Sequence, residues 1–223
     1  MSAIWPYIPF LLSGLVLTLK VAVGGFLCGI AMALLAIYLW EFAPRFIRFF
    51  LTAYVSVIRG LPELLIIFLV YYGGTVILTN IFATYVEVNA LAAGIFALAV
   101  VSGAYCIEIL RSALQNIPAG QNEAAKSLGL GKGTTFFRIL MPQMFSHALP
   151  GLGNQWLITL KDSALVSLVG TEELMRKTVI VTSIPPRDKP MTFYLIAAAL
   201  YIAVTGLSML LLKAASIHLE RRK

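Results

Sequence analysis

The chain has 223 residues, of which 60% are hydrophobic and only 12% charged, and it carries a formal net charge of +7. A soluble domain of this size has about a quarter charged residues, so the bilayer is the expected solvent, and one membrane domain fills the length. The basic excess is scattered among apolar runs and turns, which reads as topogenic charge on loops and argues against a nucleic-acid surface.

Crossing a hydrocarbon layer of about 30 Å takes around 20 apolar residues. No Lys or Arg precedes Lys20 and no small-residue cleavage site closes a short apolar core. The first apolar segment, about 12–40, therefore reads as a retained span and not as a secretory signal. Within it Gly25 and Gly29 have the GxxxG spacing that lets helices approach closely. Cys28 and Cys106 show neither metal nor disulfide spacing and are read as packing residues. The second span, about 46–80, is apolar at both ends and interrupted by Arg59, Gly60, Pro62 and Glu63. Proline and glycine there mark a break, tolerated where freed backbone groups face protein or a wet cavity. The alternative is an interfacial helix followed by a separate span. A third span covers about 88–115. The region 139–160 is uncharged but contains Pro142, Pro150 and several glycines. It is expected to begin as an interfacial helix and to become a fourth span only at about 149–171, taking Lys161 and Asp162 into or near the membrane. The fifth span covers about 191–215. Five spans put the termini on opposite sides.

Arg45 and Arg48 follow span one, residues 73–90 after span two hold no Lys or Arg, and Arg111, Lys126, Lys132 and Arg138 follow span three. With the basic tail "LERRK" these predict an N-out, C-in orientation. Arg176, Lys177, Arg187 and Lys189 vote the other way, partly offset by Glu172, Glu173 and Asp188.

Between spans three and four lies a loop of a different character, about 117–142. "NIPAGQNEAAKSLGLG" reads as a short helix outside the bilayer, with Pro118 at its first turn, Glu123 on its exposed side, and Gly129 and Gly131 stopping it. Ala124 and Ala125 present so little side chain that another surface can come close to the backbone. The following "GLGKGTT" fails the phosphate-loop spacing at two positions, Lys126 and Gly133, so this chain is not expected to bind ATP.

The order Glu123-Ala124-Ala125, three residues, Gly129, nine residues, Ile139, two residues, Pro142 resembles the EAA loop of binding-protein-dependent ABC importer permeases. Met141 stands where that family usually has leucine, a swap that conserves volume. "SGLVLTLKVAV", "VIRGLPELLIIFLVYYG", "GAYCIEILRSALQNIPAGQNEAA" and "LPGLGNQWLITLKDSALVSLVG" resemble the polar amino acid subfamily, and within it the Q-type subunits of arginine and histidine/lysine/arginine importers. The resemblance implies an all-α integral membrane protein with five transmembrane helices and a type I ABC importer (MetI-like) permease fold in the bacterial inner membrane. It implies that Gly120, Gln121, Glu123, Ala124, Ala125, Gly129 and Pro142 couple the chain to an ABC ATPase dimer. It further implies a second homologous permease subunit, or another copy of this one, and a periplasmic or lipid-anchored amino-acid-binding protein. ATP and Mg would belong to the ATPase, with no cofactor bound directly and no enzymatic activity in this chain.

Ionisable groups inside spans are costly, so each is a candidate for function. Arg59, Glu63, Glu108, Lys161 and Asp162 are the candidates for the substrate path, with Asn154 and Gln155 beside them. A basic amino acid needs a carboxylate for its side chain, and Asp162, Glu108 and Glu63 are the choices in that order. The alternative for Glu108 is pairing with Arg111 three residues on, and for Asp162 a basic group on a neighbouring helix. Asn154 and Gln155 have the alternative of bonding between helices. His147 and His218 are isolated. A secondary transporter or a membrane scaffold remains the rival class, although no internal repeat or catalytic constellation speaks for either.

Overall fold

The computed structural model describes residues 5–184 and 190–220, and no strand occurs among them. After a short 3₁₀ turn, α1 runs Ile8–Phe42, α2 Arg45–Gly60, α3 Glu63–Phe68 and α4 Gly74–Phe82, with a π-helical stretch at Leu69–Gly73 joining the last two. Next come α5 Ala90–Gln115, α6 Ala119–Ser127, and α7 Lys132–Thr135, which passes through a π-helical stretch Phe136–Leu140 into α8 Met141–Asp162. A 3₁₀ stretch Ser163–Val169, α9 Leu174–Ser183 and α10 Pro190–Glu220 complete the chain. Arg187, Asp188 and Lys189 of the dissenting loop, and the basic residues of the tail, lie outside the described residues.

Four helical segments are long and apolar enough to cross a membrane: Trp5–Phe42, Glu63–Phe82, Ala90–Gln115 and Pro190–Ala214. The segment expected to span at about 149–171 is not among them. Its helix, α8, runs Met141–Asp162 without a boundary near 149, where an interfacial helix was expected to give way to the span. Neither Pro142, which stands just after the π-helical stretch Phe136–Leu140, nor Pro150 in the interior of α8 interrupts it. The expected interfacial helix and the segment expected to span are parts of one helical run from Lys132 to Asp162, about 46 Å at 1.5 Å per residue.

The break expected in the second span is present. Leu61 is extended (φ −104°, ψ 145°), as the residue before a proline prefers, and Pro62 starts the next helix by accepting from the amides of Leu65 and Ile66.

The centre of the bundle is the contact of α1 with α5. Gly25 and Gly29 are buried there, and a Cβ on Gly29 would lie 2.9 Å from the Gly103 amide nitrogen. The Ser102 hydroxyl donates to the Gly25 carbonyl at 3.2 Å. Small residues on both helices let the backbones close to this distance, where dispersion replaces the missing hydrophobic drive of the lipid phase. α2 is tied to α5 by the Tyr54 hydroxyl on the Val100 carbonyl, 2.6 Å. One end of the bundle carries the turn at 43–44 and residues 116–131; the opposite end carries residues 83–89 and 170–173. At the first end Ile37, Cys106, Leu110, Phe136 and Met144 form a buried cluster that binds α1, α5, and the start of α8 together.

Candidate functional site

α6 has two buried anchors, the first of them in this cluster. Ile117, just before it, is buried, and Ala125 is 1% exposed, on the side where α6 meets the Phe136–Leu140 stretch. Pro118 stands at its N-cap with extended ψ, and its carbonyl accepts from the Gln121 amide at 3.0 Å. The far end is a Schellman closure: the Gly129 amide donates to the Lys126 carbonyl at 2.9 Å and the Leu130 amide to the Ala125 carbonyl at 3.0 Å. That closure needs a left-handed residue, and Gly129 supplies it with φ +72°. Gly131 does not stop α6, as the sequence suggested; it is the N-cap of α7.

The other side of α6 is open. Gly120, Gln121, Glu123, Ala124 and Lys126 are exposed, and Leu128 is 77% exposed at its tip. Of the two alanines expected to meet a partner, only Ala124 is available; Ala125 is spent on the chain's own core. Pro142 is exposed in the first turn of α8, and Gln143 reaches back to the Ile139 carbonyl at 2.9 Å. α6 is thus a short helix fixed at both ends and bare on one face.

The candidate path residues fall into two groups on either side of the Leu61–Pro62 break. The first lines a cleft of about 500 Å³ between α2 and α5 that includes Arg59, Tyr105, Glu108, Arg111 and Trp40. Arg59 stacks its guanidinium over Tyr105 and Arg111 stacks over Trp40, each 5.4 Å from the ring centre. Arg111 Nη2 lies 2.7 Å from Glu108 Oε1, the one ion pair within 4 Å among the described residues. Glu108 is thus internally paired, which is the local alternative the sequence offered, and both partners remain about one-third exposed to the cleft.

The second group is Glu63, first residue of α3, and Asp162, last residue of α8. α3 packs against the 3₁₀ stretch that follows Asp162, which brings the two carboxylates within electrostatic reach of each other, with Lys161 next to them. Asp162 is partly buried and has no cation within 4 Å among the described residues. Lys161 and Asn154 are exposed, whereas Gln155 is 3% exposed and its amide nitrogen has no partner.

Residues 25–222 match the family model described as "Binding-protein-dependent transport system inner membrane component". The chain belongs to that family. The arginine ABC transporter permease protein ArtQ of Haemophilus influenzae is 40% identical to this permease over 91% of the present chain and 90% of its own. The histidine/lysine/arginine/ornithine permease protein HisQ of Escherichia coli K12 is 31% identical over 95% and 92%. Among solved structures, an amino acid ABC transporter crystallised with histidines aligns with a TM-score of 0.84 at 33% identity, covering 97% of both chains. The inward-facing MetNI methionine transporter aligns at 0.71 over 94% and 97%, at 19% identity, and shares the fold.

The permease also holds a buried carboxylate that the sequence reading treated only as loop charge. Glu173 is 0% exposed. Its Oε2 accepts from Thr18 Oγ1 (3.1 Å), the Tyr201 hydroxyl (3.2 Å) and the Met175 amide (2.9 Å), and its Oε1 accepts from the Arg176 amide (2.8 Å). It therefore caps α9 and pins α1 and α10 to it. The signal in the sequence was a Glu directly ahead of a helical run; its partners, 155 and 28 residues away, left none.

Proposed function

We propose that this chain is the transmembrane subunit of an ATP-driven importer of amino acids, probing for a cationic side chain with Glu63, Asp162 and Glu108 and coupled through α6 to a separate ATPase. The reading places the termini N-out and C-in, so the end of the bundle bearing α6 faces the cytoplasm and the end bearing residues 83–89 faces outward. The observation that carries it is the bare face of α6, anchored by Ile117 and Ala125 to the helices that carry the candidate carboxylates. Glu108 lies on α5, whose end leads into α6, and Asp162 ends the continuous helix that leaves it. A push on α6 reaches both. The likeness to arginine and histidine/lysine/arginine/ornithine permeases supports a basic amino acid as the substrate. A carboxylate is also the group that a guanidinium or ammonium contacts most strongly.

In this reading a binding protein delivers the amino acid to the outer face of a permease pair, made with a homologous subunit or a second copy. ATP-driven closure of the ATPases moves the α6 helices, and the spans reorient to open inward. Arg59 and Arg111, held on aromatic rings in the α2–α5 cleft, offer donors for the α-carboxylate. The test is copurification from membranes in which the permease is expressed with its ATPase. The wild-type chain retains the ATPase; Gly129→Leu, which forces a branched side chain into a left-handed position, loses it or loses coupling of hydrolysis to uptake. Full retention of ATPase and of substrate-stimulated hydrolysis by Gly129→Leu contradicts the docking role.

A further inference from the structure

After α4 the chain does not leave the bundle. Ala83, at φ +50°, turns it over the helix end, and the residues that follow run back along the helix they have just left. The Val86 amide donates to Thr79 Oγ1 and the Val88 amide to Thr75 Oγ1, each at 3.2 Å. These two threonines are one helical turn apart, and Tyr71 is one turn further in. Between the two stapled amides, Glu87 is carried down to Tyr71, whose hydroxyl donates to Glu87 Oε1 at 2.5 Å. From Phe82 back to Tyr71 is about 16 Å of helix. The exposed carboxylate is therefore tied to a residue about three turns back from the helix end.

It lines a cavity of about 420 Å³ shared with Val88, Asn89, Val169 and Gly170, within the roughly 300–1,000 Å³ usual for small-molecule sites. Glu87 is exposed to this space and has no cation within 4 Å among the described residues. Tyr71 and Tyr72 stand edge to face beside it, ring centres 5.0 Å apart. The two walls lead inward to the carboxylates already described. Glu63 is about 12 Å from Tyr71 along the helix, and Asp162 about 14 Å from Val169 along the 3₁₀ stretch at 2 Å per residue.

We propose that Glu87, oriented by Tyr71, is an outer binding site for the guanidinium or ammonium group of a cationic amino acid, occupied before that group reaches Glu63 and Asp162. Tyr71 holds one carboxylate oxygen and leaves the other for a charge-assisted hydrogen bond, while its ring adds cation–π attraction. Asn89, which caps α5 by accepting from the Ala92 amide at 3.0 Å, keeps its Nδ2 as a donor for the α-carboxylate.

The proposal rests on the basic substrate and on the orientation read above, so its test separates the two. The full complex with ATPase and binding protein is placed in liposomes of phosphatidylcholine and phosphatidylglycerol. Initial uptake of radiolabelled L-arginine at saturating loaded binding protein is compared for wild type, Glu87→Gln, Glu87→Asp and Tyr71→Phe. Glu87→Gln slows arginine uptake about tenfold, the worth of one charge-assisted hydrogen bond. Glu87→Asp restores part of the rate, and Tyr71→Phe, which keeps the charge and loses only the orienting hydroxyl, slows it about threefold. Unchanged uptake in both Glu87→Gln and Tyr71→Phe, with wild type importing arginine, overturns the outer site alone. A wild-type complex that imports no basic amino acid overturns the substrate reading and this site with it. A loss in Glu87→Gln that appears only when phosphatidylethanolamine is added assigns the cation to a lipid headgroup and also overturns the site.

Discussion

Asp162 and Glu108 are both carboxylates on helices of the central bundle, yet their surroundings give them different work. Glu108 already has Arg111 at 2.7 Å, whereas Asp162 has the Glu63 charge and no cation within 4 Å among the described residues. Removing charge from Asp162 therefore leaves nothing in the chain unpaired. Asp162→Asn is expected to assemble and melt as the wild type does, and to lose affinity for arginine or lysine by roughly 1.5–3 kcal/mol. Uptake in proteoliposomes and the melting temperature of the complex, measured on the same preparation, check this. Wild-type uptake kinetics would remove Asp162 from the path, and poor assembly would make it a structural partner of a neighbouring helix. At this scale, legibility followed sequence distance. The Glu108–Arg111 pair could be read because it is three residues long. Arg59 on Tyr105, Arg111 on Trp40 and Tyr201 on Glu173 join different helices, and no periodicity announces such contacts.

Between elements, the α1–α5 contact sets the tolerance of the fold. A methyl on Gly29 meets the Gly103 nitrogen at 2.9 Å, whereas one on Gly206 of α10 meets nothing within 4 Å. Gly29→Ala is expected to lower the stability of the permease by about 1–3 kcal/mol, the usual cost of overpacking, and Gly206→Ala to leave it unchanged. Thermal unfolding of the purified complexes distinguishes the two; equal melting temperatures would mean that the helices separate without cost. The GxxxG spacing and the break before Pro62 were legible because glycine and proline act on the backbone where they stand. Pro142 and Pro150 misled in the other direction, since the helix from Lys132 to Asp162 runs through both, with a π-helical stretch just ahead of the first. Ala125 was read as an open surface because its size fits a close partner equally well on either side of α6. Only the Phe136–Leu140 stretch packed against that helix decides it.

For the whole molecule, the proposed function has the charge pattern orient the bundle and α6 connect it to a separate ATPase. Single cysteines at Asn80 and Lys126, in a background lacking Cys28 and Cys106, should react oppositely with a membrane-impermeant thiol reagent. Position 80 labels from outside intact cells and position 126 only after the membrane is opened. Labelling of position 126 in intact cells would reverse the orientation and, with it, the side on which the ATPase sits. The fold class was readable over nearly the whole chain because apolar length and the EAA spacing are local features. The segment at about 149–171 was harder to read because Lys161, Asp162 and Pro150 dilute its apolar signal. The most direct measurement is uptake of radiolabelled L-arginine into proteoliposomes holding the permease, its ATPase and a loaded binding protein, with ATP supplied on the α6 side. The account predicts accumulation that requires both ATP and the binding protein and that lysine or histidine competes for. Accumulation driven by an ion gradient without ATP, or no uptake of any basic amino acid by an assembled complex, would contradict it.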